Sequence, residues 1–277
     1  MPEGDTIFRA AQTLHRALAG SIVTRFESVF PALNRIDHDR PLAGRTIESV
    51  SARGKHLLMA FSGDLVLRTH MRMHGSWHIY RPGERWQRSA HDMRIVVQTS
   101  SFVAVGFNVP IAELLTGRDL SRHKELQALG QDLLAASFDE DEVLRRLRSH
   151  DGDAIADALL NQRIVAGIGN VFKSEILFIA RIHPFQTAGA LSDDDLRRIV
   201  GESRRQLRAN VLTRSQTLSP AFGRRTTRSL DPGAKLWVYS RGGKPCRICG
   251  TSIQARKTGL DARLTYWCPT CQPSRSG

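Results

Sequence analysis

The sequence predicts a mixed α+β protein built from more than one domain. One amphipathic helix opens the chain, and a series of short β-rich segments follows to about residue 109. After about residue 118 the texture turns helical, and the chain closes on a four-cysteine cluster. The overall expectation is an N-terminal helix plus antiparallel β-sandwich lobe, followed by a helical lobe that carries a cysteine-rich β-hairpin.

Each element has its own signal. From Asp5 to Gly20 the apolar residues Ile7, Phe8, Ala11, Leu14 and Leu18 fall at helical spacing, and Gly20 is a natural terminator. The segments 21–30, 45–61, 64–80, 92–100 and 101–109 are rich in β-branched and aromatic residues. Gly, Pro, Asp and Ser punctuate them, so they read as antiparallel strands. Beyond 118, Ser137 and Glu140 have capping-box spacing before DEVLRRLRSH. DGDAIADALLNQ reads as a second helix, RIVAGIGN as a turn, and VFKSEILFIARI as a third helix ending before Pro184. Ser192, followed by three aspartates, starts a fourth helix that runs to about Asn210, with carboxylates at its positive end. From Thr213 to Arg228 the period is lost while Arg214, Arg224, Arg225 and Arg228 accumulate, the pattern of a mobile basic loop. KLWVYSR, residues 235–241, reads as a strand. The domain boundaries expected from these shifts are 1–118, 119–232 and 233–277.

Charge narrows the function classes. Forty Lys and Arg against twenty-seven Asp and Glu give a formal net charge of +13, which points to a polyanionic partner, nucleic acid first. With 41% hydrophobic and 24% charged residues the chain has the composition of a folded globular protein. No stretch reaches the roughly 18 to 20 apolar residues of a membrane span, and MPEGDTIFRA has no apolar signal core. A cytoplasmic protein is therefore expected.

The cysteines form two CxxC pairs, Cys246/Cys249 and Cys268/Cys271, separated by a segment that fits a β-hairpin. Each CxxC turn aims two thiolates at one ion, so the pairs together suit a tetrahedral zinc site. Four thiolates leave no position open for water, and such a zinc is structural. Two disulfides or a redox pair are the alternatives. Arg263, with Arg256, Lys257, Tyr266 and Trp267 around it, offers a guanidinium on the hairpin that could grip a phosphate.

The first residues raise a chemical question. Removal of Met1 would leave a free secondary amine at Pro2 with Glu3 beside it. A free α-amine has a pKa near 8, so a useful fraction is nucleophilic at neutral pH, and a secondary amine forms an iminium with a sugar C1′. Taken alone, Pro2 reads as an ordinary second residue.

Four motifs in order change that reading: PEGDT at the start, RGKHLL at 53–58, VAGIGNVFKSEI at 165–176, and RLTYWCPTCQ at 263–272. Together they resemble the formamidopyrimidine-DNA glycosylase and endonuclease VIII family over nearly the whole chain. The resemblance implies a helix-two-turn-helix module and a zinc-finger hairpin in the helical lobe, with DNA between the lobes. It implies that Pro2 is the nucleophile that displaces a damaged base and forms a Schiff base, with Glu3 as the acid/base residue. Lys55 matches the family's β-strand lysine beside the lesion phosphate. Gly167, Gly169 and Asn170 match the helix-two-turn-helix, whose helix start suits a phosphate. Arg263 matches the hairpin arginine that grips the phosphates. Glu175 resembles a family acidic position near the amino terminus, or else is a buried helix partner.

Flipping a base leaves a hole that glycosylases fill with a wedge. HMRMHGSW, residues 70–77, occupies the family's wedge position, with Met73 foremost and Arg72 and His74 beside it. His70 and His74 are too far from acidic partners in sequence to read as metal ligands. Guanine-lesion members carry an Asp-Pro-Arg-Arg-Phe-Gly segment for the unpaired opposite base; VGFNVPIAEL, residues 105–114, lacks it. That favours the endonuclease VIII branch.

The expectation is thus a bifunctional DNA glycosylase and AP lyase of base excision repair. It would be a nucleoid-associated monomer acting on double-stranded DNA with oxidised pyrimidines or abasic sites. The alternatives are a guanine-lesion enzyme of the same family and a non-catalytic module that binds damaged DNA.

Overall fold

A computed structural model describes residues 2–212, 224–258 and 262–274. The chain divides into two compact units, the break falling between Ala128 and Leu129.

In the first unit, α1 (Gly4–Leu18) buries Ile7, Ala10, Ala11, Leu14 and Leu18 on one face, against β2 and β3, while its polar face stays in water. Each large side chain so buried contributes about 1.5–3 kcal/mol. The helix ends where Gly20 takes φ 81°. The strands are β1 (Val23–Ser28), β2 (Ile47–Arg53), β3 (His56–Phe61), β4 (Leu65–His70), β5 (Ser76–Tyr80), β6 (Met93–Thr99), β7 (Val103–Phe107) and β8 (Ile111–Leu115). They form two four-stranded antiparallel sheets, ordered β1-β6-β7-β5 and β2-β3-β4-β8. Alternation fills the layer between them: Leu57, Met59, Phe61, Leu65 and Leu67 meet Trp77, Ile95, Val97 and Ala104.

Four elements of this unit carry weak sequence signals. Helix α2 (Pro31–Asp39) starts on Pro31 at its first turn and buries a single residue, Leu33, so its apolar stripe is thin. Strand β8 follows β7 after three residues, too close to separate by pattern. Helices α3 (Gly117–Arg122) and α4 (Lys124–Gln127) close the unit, α3 with a reciprocal capping box between Thr116 and Asp119.

The second unit opens with the two-residue strand β9 (Gln131–Asp132), which pairs in parallel with β10 (Val165–Ala166). Between them lie α5 (Glu140–Arg148) and α6 (Ile155–Ala158), and after them α7 (Asn170–Ile179) and α8 (Asp193–Leu212). Leu147, Ile155, Ile164, Phe172, Ile176, Leu196 and Ile199 form their common core. Asp139, not Ser137, caps α5 by accepting from Glu142 N at 2.9 Å. The second helix shrinks to the four residues of α6, its start being held by a bridge between Ala154 and Thr187. Ser192 does cap α8, accepting from Asp195 N at 3.1 Å.

No strand forms over 235–241. The backbone N–H groups that a sheet would use there are given to a carboxylate, as described below. The hairpin β11 (Gln254–Thr258) and β12 (Arg263–Trp267) follows. Most of the expected basic loop over 213–228 lies outside the described residues, Arg214 included. No described helix is long and apolar enough to cross a membrane.

Candidate functional site

Glu3 is the N-cap residue of α1 in extended conformation, and its carbonyl accepts from Thr6 N and Ile7 N. Its side chain is buried and does not cap the helix. Pro2 precedes it, half-buried. Two residues on, Asp5 is fully buried and pairs with Arg9 at 3.6 Å. The first turn thus buries the carboxylate of the residue that follows Pro2, on a helix held by its apolar face.

Lys55 lies on a turn, not within a strand as the resemblance implied. Gly54 and Lys55 make the two-residue connection between Arg53 and His56, with Gly54 at φ 59°, where only a residue without Cβ is unstrained. Next to this turn sequence reading missed a pair: His56 and His70 oppose each other across β3 and β4, their rings 4.8 Å apart and edge-to-face. Burial, then Arg68, lowers the pKa of His56 to about 2; burial, then Arg72 and Lys55, lowers that of His70 to about 4. Both rings are neutral at pH 7. His70 Nδ1 accepts from Arg72 N at 3.1 Å, which leaves the proton on Nε2.

β4 runs from His70 into a turn. Met71 is buried, whereas Arg72, Met73 and His74 are exposed, Arg72 at φ 48°. Met73 is 53% exposed, far from a core methionine. Gly75 closes the turn by donating to Met71 O at 2.9 Å; a Cβ on it would sit 2.6 Å from that oxygen. Beneath, the buried Arg68 bonds Glu113 of β8 and Glu125 of α4.

In the second unit the turn before α7 is built by Gln162. Its amide donates to Leu160 O at 2.8 Å and Ile168 O at 3.0 Å and accepts from Gly167 N at 3.1 Å, with Gly167 at φ 112°. Gly169 is the N-cap residue of α7, and Asn170 its first residue. Asn170 Nδ2 donates to Leu264 O at 2.9 Å, beside Arg263 in β12. Lys173, fully buried, donates to Asn170 Oδ1 at 2.7 Å and Thr265 Oγ1 at 2.6 Å. Asn170 and Arg263 are thus brought together by a buried lysine that no motif singled out.

The four cysteines converge, their sulfurs all within 4.8 Å of one another. Cys246 and Cys271 are 3.9 Å apart, Cys249 and Cys268 3.5 Å, and backbone N–H groups of Ile248 and Cys271 point at Cys246 and Cys268 sulfurs. Four soft thiolates at this spacing fit one tetrahedral zinc. All four sulfurs are well beyond the length of a disulfide bond from each other. Gln272 joins this knuckle to the end of α7, accepting from Cys268 N at 3.0 Å and donating to Ile182 O at 2.8 Å.

Three family models cover the chain in order: the N-terminal domain of formamidopyrimidine-DNA glycosylase over residues 1–108, its H2TH domain over 129–220, and the zinc finger found in FPG and IleRS over 243–273. A curated protein of Streptomyces coelicolor, "Probable endonuclease 8 2", is 39% identical over 98% of this chain and 94% of its own length. "DNA-(apurinic or apyrimidinic site) lyase Nei2" of Mycolicibacterium smegmatis is 36% identical over 98% of this chain and 99% of its own. This chain belongs to the formamidopyrimidine-DNA glycosylase and endonuclease VIII family. The structure of Lactococcus lactis Fpg with DNA containing an abasic site shares the fold, with TM-score 0.81 at 23% identity over 99% of this chain and 100% of that one.

Two features place the family's variable parts in this member. The connection between β7 and β8 is only residues 108–110: Asn108 takes φ 49° and donates to Asp92 O at 2.8 Å, and Val109 is buried. Of its three residues only Pro110 is exposed, and it carries neither a cation nor an aromatic ring. Glu175 proves to be the buried helix partner of the two readings. Its carboxylate accepts from Trp237 N at 2.8 Å, Val238 N at 2.9 Å, Tyr239 N at 2.8 Å and the Thr226 hydroxyl. Burial raises its pKa, against the four donors.

Proposed function

We propose that Pro2, freed by removal of Met1, is the nucleophile of a bifunctional DNA glycosylase and AP lyase of base excision repair that prefers oxidised pyrimidines. The activity class follows from family membership over the full length, and the relatives' names carry endonuclease 8 and AP lyase. The observation that carries the Pro2 assignment is the first turn of α1, where the buried Glu3 is fixed directly after the half-buried Pro2.

In this reading the Pro2 nitrogen attacks C1′ of the damaged nucleotide as the C1′–N bond to the base breaks, and the base leaves with a proton. Glu3 protonates the ring oxygen as the sugar opens, giving the iminium. The iminium acidifies C2′–H, the Glu3 carboxylate takes that proton and the 3′ phosphate leaves by β-elimination; loss of the C4′ proton in a second elimination then releases the 5′ phosphate. Hydrolysis frees Pro2. Lys55, neutral His70 through its Nε2–H, Asn170, Arg263 and the N-terminus of α7 bind the phosphates around the lesion. Arg72, Met73 and His74 fill the hole left by the extruded nucleotide. The zinc supplies no chemistry; Cys246, Cys249, Cys268 and Cys271 hold it so that Arg263 is presented on a rigid hairpin.

The lesion preference rests on the short β7–β8 link, which supports wedge residues from one loop instead of two. Borohydride trapping on an abasic duplex tests the nucleophile: an adduct with processed wild type, none with Pro2→Gly or with Met1 retained. Cleavage of thymine glycol faster than 8-oxoguanine in matched duplexes is the result expected for the branch. Preference for 8-oxoguanine opposite cytosine would overturn it and favour the guanine-lesion reading.

A further inference from the structure

The segment 81–92, between β5 and β6, is absorbed by nothing described so far. It crosses the outer face of the sheet β1-β6-β7-β5, on which Tyr80, Val96, Val103, Val105 and Phe107 form a second, smaller apolar cluster. Trp86 covers that cluster, its ring 5.6 Å from Phe107 and 6.4 Å from Tyr80. The backbone is pinned along its length. Arg81 N donates to Glu84 at 2.8 Å, Gln87 N to the Tyr80 hydroxyl at 3.2 Å, and His91 N to Ser89 Oγ at 3.2 Å. This is a fixed loop, not a frayed one.

Three arginines of the loop are exposed, Arg81, Arg85 and Arg88, and the last two lie on either side of Trp86. Neither Arg85 nor Arg88 has a carboxylate within ion-pair distance among the described residues. An open hollow of about 530 Å³ lies along the loop, lined by residues 84–90: the two guanidinium groups of Arg85 and Arg88, Trp86 and Gln87, and at one end Glu84, whose carboxylate is engaged by Arg81 N. Its shape suits a passing backbone better than an enclosed small molecule.

Position supplies the occupant. β5 is an edge strand and begins at Ser76, immediately after the wedge turn. Phe107 is the register partner of Ser76, so Trp86 stacks near the wedge end of the sheet as well as on Tyr80. A duplex running along β5 would meet the loop roughly two to four base pairs from the wedge, at about 3.4 Å per residue of strand and about 3.4 Å per base pair. Arg88 is close to His78 on the same face, whose pKa is lowered by burial and then by that guanidinium.

We infer that Arg85 and Arg88 form an accessory phosphate clamp for the undamaged duplex arm on one side of the lesion, extending the wedge's footprint along β5. The inference rests on the assignment of residues 72–74 as the wedge. It predicts recognition of phosphates without base specificity, so its signature is salt dependence and arm length.

The test is binding of the full-length zinc-loaded protein to duplexes carrying a tetrahydrofuran abasic analogue, with one arm at a time trimmed to about two base pairs from the lesion. With long arms, Arg85→Gln/Arg88→Gln should weaken binding roughly tenfold and reduce the slope of log K against log salt by about two. Trimming one particular arm should weaken the wild type to a similar extent and leave the double variant unaffected. Arg85→Lys/Arg88→Lys should restore the slope, which loop misfolding alone would not allow. Arg35→Gln, removing an exposed charge from α2, controls for net charge and should leave the slope as it was. The inference is overturned if the double variant keeps the wild-type slope, or if trimming either arm weakens it as much as it weakens the wild type. Failure of the catalytic reading is separate: it is the absence of a trapped Pro2 adduct, whatever the arm dependence.

Discussion

The two units hold their buried charges in opposite ways. In the first, Arg68 is 1% exposed but its carboxylate partners reach solvent, Glu113 at 41% and Glu125 at 60% side-chain exposure. In the second, Glu175 and Lys173 are both fully buried and are satisfied by neutral groups: backbone N–H, a threonine hydroxyl, an amide oxygen. An ion pair whose partners reach water can be dismantled cheaply, because the survivors are solvated. A buried charge answered by fixed dipoles cannot, since removing it orphans every dipole at once. Both units rest on apolar cores, and the helical unit adds polar stitches that tie α7 to the zinc hairpin.

Zinc removal should break this comparison hardest. Chelation takes away a metal worth on the order of 10 kcal/mol to such modules. The hairpin over β11 and β12 should unfold and Arg263 and Asn170 lose their common anchor, while the sandwich keeps its strands. Near-ultraviolet circular dichroism and abasic-duplex binding, before and after chelation, measure both. Loss of sandwich structure in parallel would show the units to be one cooperative block.

Glu175→Gln comes next. The amide can accept at one oxygen only and turns a donor toward backbone N–H groups, so a loss of about 3 kcal/mol is expected from denaturant unfolding.

In the sandwich, pH is the sharper probe. His56 and His70 have folded pKa values near 2 and 4, below the ordinary 6.5. Between pH 6.5 and those values the unfolded chain binds more protons than the folded one. The stability from keeping these rings neutral is fully present above about pH 6.5 and declines as pH falls toward 4 and below. Urea midpoints across that range should drop for the wild type and drop less steeply for His56→Asn. An unchanged slope would mean that the buried pair does not set the acid limb.

The smallest effect is expected at Arg68→Met. Apolar volume replaces the guanidinium, and both carboxylates return to water, so the change should be within about 1 kcal/mol. A loss of 3 kcal/mol or more would erase the contrast with Glu175.

Much of this arrangement was legible in the sequence, and for local reasons. Helix α1 follows from the spacing of Ile7, Leu14 and Leu18, and the sandwich from alternation in short segments. The zinc site follows from a doubled CxxC, whose geometry is set within four residues at a time. The site residues Pro2, Glu3, Lys55, Met73, Asn170 and Arg263 were named from motifs, which record chemistry directly.

What escaped the sequence depended on partners far along the chain. KLWVYSR has a strand's composition, yet its N–H groups are claimed by Glu175, some sixty residues earlier, and a donor already used by a carboxylate cannot enter a ladder. Lys173 is buried because Asn170 and Thr265, one of them on the distant hairpin, close around its ammonium group. His56 and His70 became a neutral pair only through register, since β3 and β4 place them opposite each other beneath Arg68. Sequence alone determined which family this protein belongs to and where its four thiolates lie, because motifs, CxxC spacing and periodicity are local properties. The tertiary structure decided which charged side chains are buried and satisfied, because desolvation and hydrogen bonding depend on what folds over them.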